Sequence, residues 1–275
     1  MIGDISRRLR NAFAALGLLA VTGLPGPPPA QAAGDKPMTF TLGRLEGSPD
    51  CGVPCAQFIV AEGHIEQFSS FSYLIAHKRA GDRNLPVLLS SPGGYIMGAD
   101  RLARVWRKLD VTAIVAGTNQ VCDTRARGRT ARSGSCSKNS EQSAVLVFKL
   151  DGANSKCASA CTLAVAGATK RIAIETARIG LHRSFVDPKA DFAQLAERLG
   201  TTNEQVVEQV EKTFRNALKE MGIDPELALR AARTPANDME WITPEEARRY
   251  DLFNARTDDV SLQEGLRAAL ASRRR

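Results

Sequence analysis

The sequence predicts an α/β fold with a mainly parallel sheet. Short apolar runs alternate with longer segments whose apolar residues recur at helical spacing, and that alternation is typical of parallel strands joined by crossover helices. Hydrophobic residues make up 43% of the 275 residues, so a substantial core can form. Aromatic residues are only 5%, so Ala, Val, Leu and Ile must supply most of that core. We expect one domain over residues 38–258.

The strands and helices follow from the period of the apolar residues and from the residues that open and close helices. The predicted strands cover residues 38–42, 58–65, 86–90, 111–116, 144–150, 171–174 and 177–182, and the predicted helices cover 69–79, 96–109, 191–221 and 223–233. Asp224-Pro225 opens the last of these helices, with Glu226 in its first turn. Residues 241–247 are expected to join a strand end to a short capped helix.

Two of the helices carry apolar residues at helical spacing. Phe71, Leu74 and Ile75 fall on one face of the helix over 69–79, which is the pattern of an amphipathic helix. His77 of this helix is expected to be solvated, and neither it nor His64 is assigned a chemical role. In the 191–221 segment the spaced apolar residues are Leu195, Leu199, Val206, Val210, Phe214 and Leu218.

The first 32 residues are predicted to be a signal peptide. Three arginines within residues 7–10 precede a short apolar stretch over 12–24, and Ala30-Gln31-Ala32 is a cleavage site of the small-x-small kind. The apolar stretch is shorter than the roughly 20 residues that span a bilayer, although an uncleaved anchor remains the alternative. We expect the mature protein to start near Ala33 and to be periplasmic or secreted.

Six cysteines fit an oxidising compartment. They are Cys51, Cys55, Cys122, Cys136, Cys157 and Cys161. Fifteen disulfide connectivities are possible; pairing of neighbours is the simplest, and no free thiol is expected. The spacing matches neither a zinc ribbon nor a redox motif, and no histidine is close in sequence, so we predict no metal site. We expect no cofactor.

The charge distribution argues against a nucleic-acid partner. The formal net charge is +7, but the basic residues are scattered and no basic stripe with interleaved aromatics is present. Several of them fall in the leader, in one loop, and in a basic C-terminal tail over residues 259–275.

Three short stretches carry residues suited to nucleophilic chemistry. Ser91-Pro92-Gly93-Gly94 follows an apolar strand, and consecutive glycines there can turn sharply and present bare N–H groups. Ala158-Ser159-Ala160 puts a serine hydroxyl among small residues at a helix start. His182 ends a later strand and is the residue type that removes a serine proton.

These stretches, in this order and with the later Trp241 to Phe253 segment, resemble the proteolytic subunit of the Clp protease, within the crotonase-like group of folds. The sequence is more closely similar to exported Clp-like proteins of proteobacteria, in which Cys-Ala-Ser-Ala-Cys is typical. The resemblance covers residues 57–255 apart from an insertion over about 119–155. It implies superhelical ββα repeats, a peptide or protein substrate, and a homo-oligomer assembled through the 191–221 helices.

By resemblance, Ser159 is the nucleophile, His182 is the base, and the N–H groups of Gly94 and Ala160 form the oxyanion hole. The third triad member departs from the family. The family places an aspartate two residues before the aromatic that matches Trp241, where this chain has Met239. Asp238 lies one residue earlier, so a shift of one residue in the loop would restore the triad.

Three functions remain open. The first is an exported Clp-like serine peptidase, with a Ser-Lys dyad through Lys212 as a variant. The second is a catalytically silent member that binds peptides or partner subunits in the same groove. The third is a crotonase-type acyl-thioester enzyme. Export disfavours this function, because coenzyme A is not expected outside the cytoplasm.

The insertion over 119–155 has two interpretations. It is either a polar surface hairpin stapled by cysteines, or a lid or docking loop with cationic residues turned towards an anionic surface. Those cationic residues are Arg125, Arg127, Arg129 and Arg132.

Overall fold

A seven-stranded sheet and a separate three-stranded sheet organise the chain. The structure, a computed structural model, describes residues 36–46, 48, 52–121, 145–185 and 200–255. The predicted signal peptide, the C-terminal tail, most of the insertion and residues 186–199 lie outside the described residues.

Most of the observed elements agree with the predicted ones to within a few residues at their ends, but β5 and β7 were not predicted, and the predicted 191–221 segment is described only from residue 200. The strands are β1 Thr39–Leu45, β2 Phe58–Glu62, β3 Val87–Ser90, β4 Thr112–Val115, β5 Gly117–Gln120, β6 Leu146–Asp151, β7 Lys156–Ala158, β8 Lys170–Ala173, β9 Arg178–Leu181 and β10 Glu240–Ile242. The helices are α1 Ser69–Arg79, α2 Ile96–Lys108, α3 Ala160–Ala166, α4 Asn203–Glu220, α5 Glu226–Arg233 and α6 Pro244–Arg248.

The large sheet is mainly parallel, which confirms the predicted fold class. Its strand order is β5-β6-β1-β2-β3-β4-β8. The pairs β6·β1, β2·β3, β3·β4 and β4·β8 are parallel, and only β1·β2 and β5·β6 are antiparallel. Helices α1 and α2 make the crossovers between parallel neighbours.

The interior strand β3 begins with three apolar residues because both of its faces are covered. Val87 and Leu89 pack into the larger core cluster, whereas Leu88 between them packs into a smaller cluster on the opposite face. All three side chains are buried. A strand buried on both faces has a continuous apolar run, which is the pattern of Val87–Leu89.

The described ends of the insertion, β5 and β6, form an antiparallel hairpin, but β6 is also an interior strand of the large sheet and is not confined to the surface. Strand β6 pairs with β5 on one side and runs parallel to β1 on the other. Phe148 and Leu150 are buried in the smaller core cluster, where the ring of Phe148 lies 6.2 Å from that of Phe58. The apolar alternation of residues 146–150 therefore serves the core.

The face of helix α1 that packs on the core is not the face that carries Phe71, Leu74 and Ile75, but the opposite one. Tyr73, Ala76 and His77 are buried, and the Tyr73 ring packs 5.8 Å from Trp106 and 6.0 Å from His77. The prediction that His77 is solvated is therefore wrong. Phe71 is 63% exposed, and Phe68, Leu74 and Ile75 are also exposed. These four residues form an apolar surface that we call the α1 face.

Helix α4, in contrast, buries its apolar stripe within its own chain. Val206, Phe214 and Leu218 are buried, and the last two belong to the larger core cluster. Thr202 caps the helix, and Gln205 completes a capping box with it. The described part of the 191–221 segment thus offers no apolar stripe for a second subunit.

The small sheet meets the large one where β3 ends. Its strand order is β10-β9-β7, with β7·β9 parallel and β9·β10 antiparallel. Ser91, directly after β3, forms a bridge with Cys157 of β7. This junction brings the Ser91-Pro92-Gly93-Gly94 loop against the turn that contains Ser159.

Candidate active site

Ser159 lies between β7 and α3 with an unusual backbone conformation. Its φ is 54° and its ψ is −126°, a combination that costs a residue with a side chain about 1–3 kcal/mol. The other described non-glycine residues with positive φ are all aspartates, which tolerate this region better. A sharp strand-to-helix turn of this kind presents the side chain of its central residue beyond the strand end.

Hydrogen bonds fix the Ser159 backbone on both sides. Its N–H donates to the carbonyl oxygen of Gly180 in β9 at 2.8 Å. Its carbonyl oxygen accepts from the N–H of Thr162 at 3.0 Å and from the Thr162 hydroxyl at 2.7 Å. Neither backbone group of Ser159 is left without a partner.

Glycine is required where the Ser91–Gly94 loop passes this turn. The φ of Gly93 is 115°, and a Cβ atom there would lie 2.8 Å from both the Ser159 Cβ and the Ala158 carbonyl oxygen. The φ of Gly94 is 141°, and a Cβ atom there would lie 2.2 Å from the Ile65 carbonyl oxygen. The sequence thus permits a backbone-to-backbone contact that no larger residue allows.

The two N–H groups predicted for the oxyanion hole have no protein acceptor. Within the described residues, neither Gly94 nor Ala160 donates its N–H in a hydrogen bond. The Ala160 nitrogen lies 3.4 Å from the Cβ position of Gly93. Two unpaired N–H groups next to a serine can donate hydrogen bonds to a developing negative charge.

His182 directly follows β9, the strand that pairs with β7. Ala158 lies opposite Gly180 in that pair, so Ser159 and His182 leave neighbouring strand ends. Burial lowers the pKa of His182 below its ordinary value of 6.5, and the backbone of Arg183 opposes the lowering only in part. The imidazole is therefore neutral near pH 7, the state in which it accepts a proton.

The hydrogen bond between Ser159 and His182 is not formed in this structure. The Oγ atom of Ser159 has no hydrogen-bond partner among the described residues. The Nδ1 atom of His182 is buried and also has none. Such bonds are often long without substrate and shorten when substrate binds, so the arrangement is compatible with a dyad that closes on binding.

The residue opposite His182 is Met239. In the β9·β10 pair, Glu240 lies opposite Leu181 and Trp241 opposite Gly180, so Met239 and His182 are the residues directly beyond the end of the pairing. The Met239 sulfur lies 2.7 Å from the Cβ position of Gly180. A thioether therefore lies on this face of the small sheet, where it cannot fix an imidazole tautomer.

Asp238 does not contact His182 in the structure. Its side chain is exposed, and its carboxylate accepts the N–H of Met239 at 2.7 Å. Its own N–H donates to the carbonyl oxygen of Pro235 at 3.0 Å. The role of Asp238 as orienting residue stays a prediction that needs a shift of this loop.

A disulfide encloses the serine. Cys157 and Cys161 are joined with a Cα–Cα distance of 5.3 Å, and both residues are fully buried. Cys55 is also disulfide-bonded, and no described cysteine is free. Cys51, Cys122 and Cys136 lie outside the described residues.

A cavity of about 450 Å³ lies beside the candidate site. Arg183 and Phe185, just after His182, line it together with Asn203 at the start of α4 and Arg233 at the end of α5. The Phe185 ring is 60% exposed and lies 6.0 Å from the His182 ring. The cavity lining includes neither Ser159 nor His182.

Other chemistries find little support in the described part of the chain. No group of three metal-ligating residues is present among these residues. No helix among them is long and apolar enough to cross a bilayer. Lys212 is exposed on α4, and no contact joins it to Ser159.

Among solved structures, the chain is similar to a ClpP1 point mutant from Listeria monocytogenes. The two share 13% sequence identity over 74% of this chain and 90% of that one, with a TM-score of 0.41. No family model and no curated protein matches the sequence.

Sequence reasoning missed two features of the site. Gly93, next to the predicted oxyanion residue Gly94, makes the closest approach to Ser159. Gly180 accepts the Ser159 N–H and leaves room for the Met239 sulfur. The signal for Gly93 was present in the paired glycines, whereas the role of Gly180 depends on a strand pairing that the sequence does not reveal.

Proposed function

We propose that this protein is an exported Clp-like serine peptidase that hydrolyses peptide bonds with Ser159 as nucleophile and His182 as base. The N–H groups of Gly94 and Ala160 form its oxyanion hole. It needs no metal or cofactor, and its substrate is a peptide or protein.

The observation that carries the proposal is the Ser159 turn. A serine at φ 54° retains a costly conformation, packed on a glycine loop and bonded to the strand that ends in His182. Two unpaired N–H groups and a neutral, half-buried imidazole lie on the elements that meet there. A turn that served packing alone would need none of these.

In the proposed reaction, His182 removes the Ser159 hydroxyl proton while Oγ attacks the scissile carbonyl carbon. The carbonyl oxygen becomes an oxyanion, which accepts the N–H groups of Gly94 and Ala160. The imidazolium then donates its proton to the leaving amine. Water hydrolyses the acyl-enzyme in the same way: His182 removes a proton from the water and then returns it to the Ser159 oxygen.

The absence of an orienting carboxylate limits the expected rate. Replacing the aspartate of a serine-protease triad while retaining the geometry lowers turnover by about 10⁴. Because the Nδ1 atom of His182 has no partner, we expect a similarly slow turnover here. A covalent adduct on Ser159 is then easier to detect than product.

The same observation favours a second candidate function. A silent Clp-like protein would retain the groove to bind peptides or partner subunits and could dispense with an oriented base. Two observations favour this function: the Nδ1 atom of His182 is buried without a partner, and a thioether, that of Met239, lies beside β9. A protein that only binds tolerates both, because it needs no oriented base.

Hydrolysis of a quenched fluorescent peptide library separates the two. A peptidase cleaves at a rate that Ser159→Ala and His182→Ala abolish. A silent binder shows equal background cleavage for all three proteins and binds uncleaved peptides in an equilibrium assay.

We further infer that the exported protein self-associates through the α1 face. Phe68, Phe71, Leu74 and Ile75 leave a contiguous apolar surface that monomers rarely tolerate. Glu66 and Lys78 at the two ends of the helix are paired within the chain, with His64 and Asp82, so the apolar side chains carry the association that we infer.

A further inference from the structure

The Cys157–Cys161 disulfide closes a short covalent ring around Ser159. Cys157 lies in β7, and Cys161 lies in the first turn of α3. The ring therefore contains the whole strand-to-helix turn and little else. The position of the disulfide, two residues to either side of Ser159, is the observation that the proposed mechanism leaves unexplained.

The ring contains Ser159, the one serine among the described residues whose φ is positive. At φ 54° and ψ −126°, Ser159 is in a region that persists only when the surroundings over-determine it. The bond to Gly180 and the bonds from Thr162 hold its N–H and carbonyl oxygen. They do not tie β7 to α3, and the disulfide does.

We propose that the Cys157–Cys161 disulfide is a positioning element that holds Ser159 in its reactive backbone conformation. Without it, β7 and α3 separate enough for Ser159 to relax towards negative φ. Its Oγ then leaves the strand end beside His182, and the Ala160 N–H leaves the Gly93–Gly94 loop. The effect on reactivity rests on the proposed function, whereas the effect on the backbone does not.

Stabilisation of the folded protein in general explains the position of this disulfide less well than a local restraint does. In the chain-entropy description, the stabilisation from a disulfide grows with the length of the closed loop, and this loop is among the shortest possible. A bond that contributes little by restricting the unfolded chain, yet encloses a strained residue, acts mainly on local geometry.

The disulfide acts as a permanent restraint and not as a redox switch. Both cysteines are 0% exposed. Exchange requires a thiolate to attack a sulfur atom directly, so a reductant must wait until the turn opens. This fits an exported protein, in which the bond forms once during folding.

The experiment compares the rate of covalent labelling by a fluorophosphonate in oxidised wild type and in Cys157→Ala/Cys161→Ala. The double variant leaves no free thiol in the turn. We expect its maximal labelling rate to fall at least about tenfold, because one misplaced oxyanion donor costs about 10²–10³ in rate. Circular dichroism is expected to show an unchanged fold. The matched control is Cys55→Ala, which breaks a disulfide elsewhere and is expected to label like wild type.

A second arm retains both sulfur atoms. Wild type is held in dithiothreitol until its mass shows reduced cysteines, and the dithiol is itself oxidised to its ring disulfide. We expect the same loss of labelling, restored on reoxidation. A labelling rate within twofold of wild type in a folded double variant, or in folded reduced protein, would overturn the proposal.

A third arm needs no activity and so separates this proposal from the proposed function. Glycine adopts φ 54° without penalty, so Ser159→Gly is expected to raise the Tm of the oxidised protein relative to Ser159→Ala by about 2–4 °C. In the Cys157→Ala/Cys161→Ala background the difference is expected to vanish, because the turn can relax. If wild type fails to label but this dependence is observed, the peptidase proposal fails and the restraint stands. An equal difference in both backgrounds refutes the restraint.

Discussion

At the scale of single residues, the proposed reactivity of Ser159 depends on His182. It is half-buried, and burial keeps its imidazole neutral at a pH where an exposed histidine is partly charged. A neutral imidazole can accept the Ser159 proton without first losing one of its own. Its remaining deficiency is orientation, since its Nδ1 atom has no partner.

The first prediction concerns pH. Labelling of Ser159 requires the neutral imidazole, so its rate rises with pH as His182 loses its proton. Because the pKa of His182 is lowered from 6.5, the midpoint is expected below 6.5 and the rate is flat above about pH 7. His64→Gln, a histidine on another strand end, is expected to leave the midpoint unchanged. A midpoint above 6.5 would show that the imidazole is stabilised in its charged form.

The lowered pKa of His182 also makes the free energy of unfolding depend on pH. The direction of this dependence follows from whether the folded or the unfolded chain takes up the proton first as the pH falls. The unfolded chain takes up a proton at His182 near pH 6.5, and the folded chain does so only at lower pH. The contribution of His182 to stability is therefore complete above pH 6.5 and is lost as the pH falls through the folded-state pKa. His182→Ala is expected to flatten this part of the stability profile in urea titrations.

At the scale of elements, the pairing of β9 with β10 decides what orients His182. The register places Met239 opposite His182, and Asp238 is exposed beyond the strand end. Orientation of the imidazole thus depends on one step of a strand register and on the residue that occupies it.

Met239→Asp is predicted to accelerate labelling. A carboxylate opposite His182 can accept the Nδ1–H and fix the tautomer, so we expect at least a tenfold increase, within the roughly 10⁴ that an orienting aspartate contributes. Asp238 does not contact His182 in the structure, so Asp238→Asn is expected to label like wild type unless the loop shifts by one residue and brings this carboxylate to the imidazole. Slow labelling of Asp238→Asn, with no increase for Met239→Asp, would show that Asp238 is the orienting residue and Met239 does not lie where the register puts it.

The contact between the glycine loop and the serine turn gives a third prediction. Gly93→Ala places a methyl group 2.8 Å from the Ser159 Cβ and forces an unfavourable φ, so the loop must move away from the serine. We expect labelling to fall by about 10²-fold, as for loss of one oxyanion donor. Gly81→Ala carries a similar backbone penalty at φ 73° but meets no atom within 4 Å, so it is expected to lose about 1 kcal/mol of stability and to label normally. Equal labelling of both variants would exclude a role for the contact.

The sequence predicted most elements because each depends on local patterns. β3 and α2 appear where an apolar run, a Ser-Pro-Gly-Gly loop and a helical period occur in succession. What it could not provide is which face each element turns inward. Tyr73 and His77 bring one face of α1 onto Trp106, so the more apolar face is left exposed. The position of Met239 at the end of the β9·β10 pairing likewise depends on a contact between distant segments.

At the scale of the whole molecule, the orientation of α1 changes where a second subunit would bind. The resemblance implied assembly through the 191–221 helices, but the described part of that segment packs Phe214 and Leu218 into its own core. The α1 face is the large apolar surface that remains exposed in the described residues.

Phe71→Ser is therefore predicted to weaken self-association. It removes an aromatic side chain that is 63% exposed at the centre of the α1 face, so folding should be little affected while association is reduced at least tenfold. Leu229→Ser on α5, 37% exposed, is the control for losing an exposed apolar residue elsewhere. Sedimentation of the processed chain gives the association constants. An assembly that withstands Phe71→Ser, or a wild type that is monomeric at every concentration, would contradict this assignment.

Covalent labelling of the mature protein tests the central claim most directly. A fluorophosphonate is applied to wild type, Ser159→Ala and His182→Ala, and the modified residue is located by peptide mass mapping. If Ser159 is activated by His182, wild type carries one adduct, on Ser159, and both variants carry none at the same exposure. Wild type that labels no more than Ser159→Ala would contradict the claim and leave the groove as a binding site without catalysis.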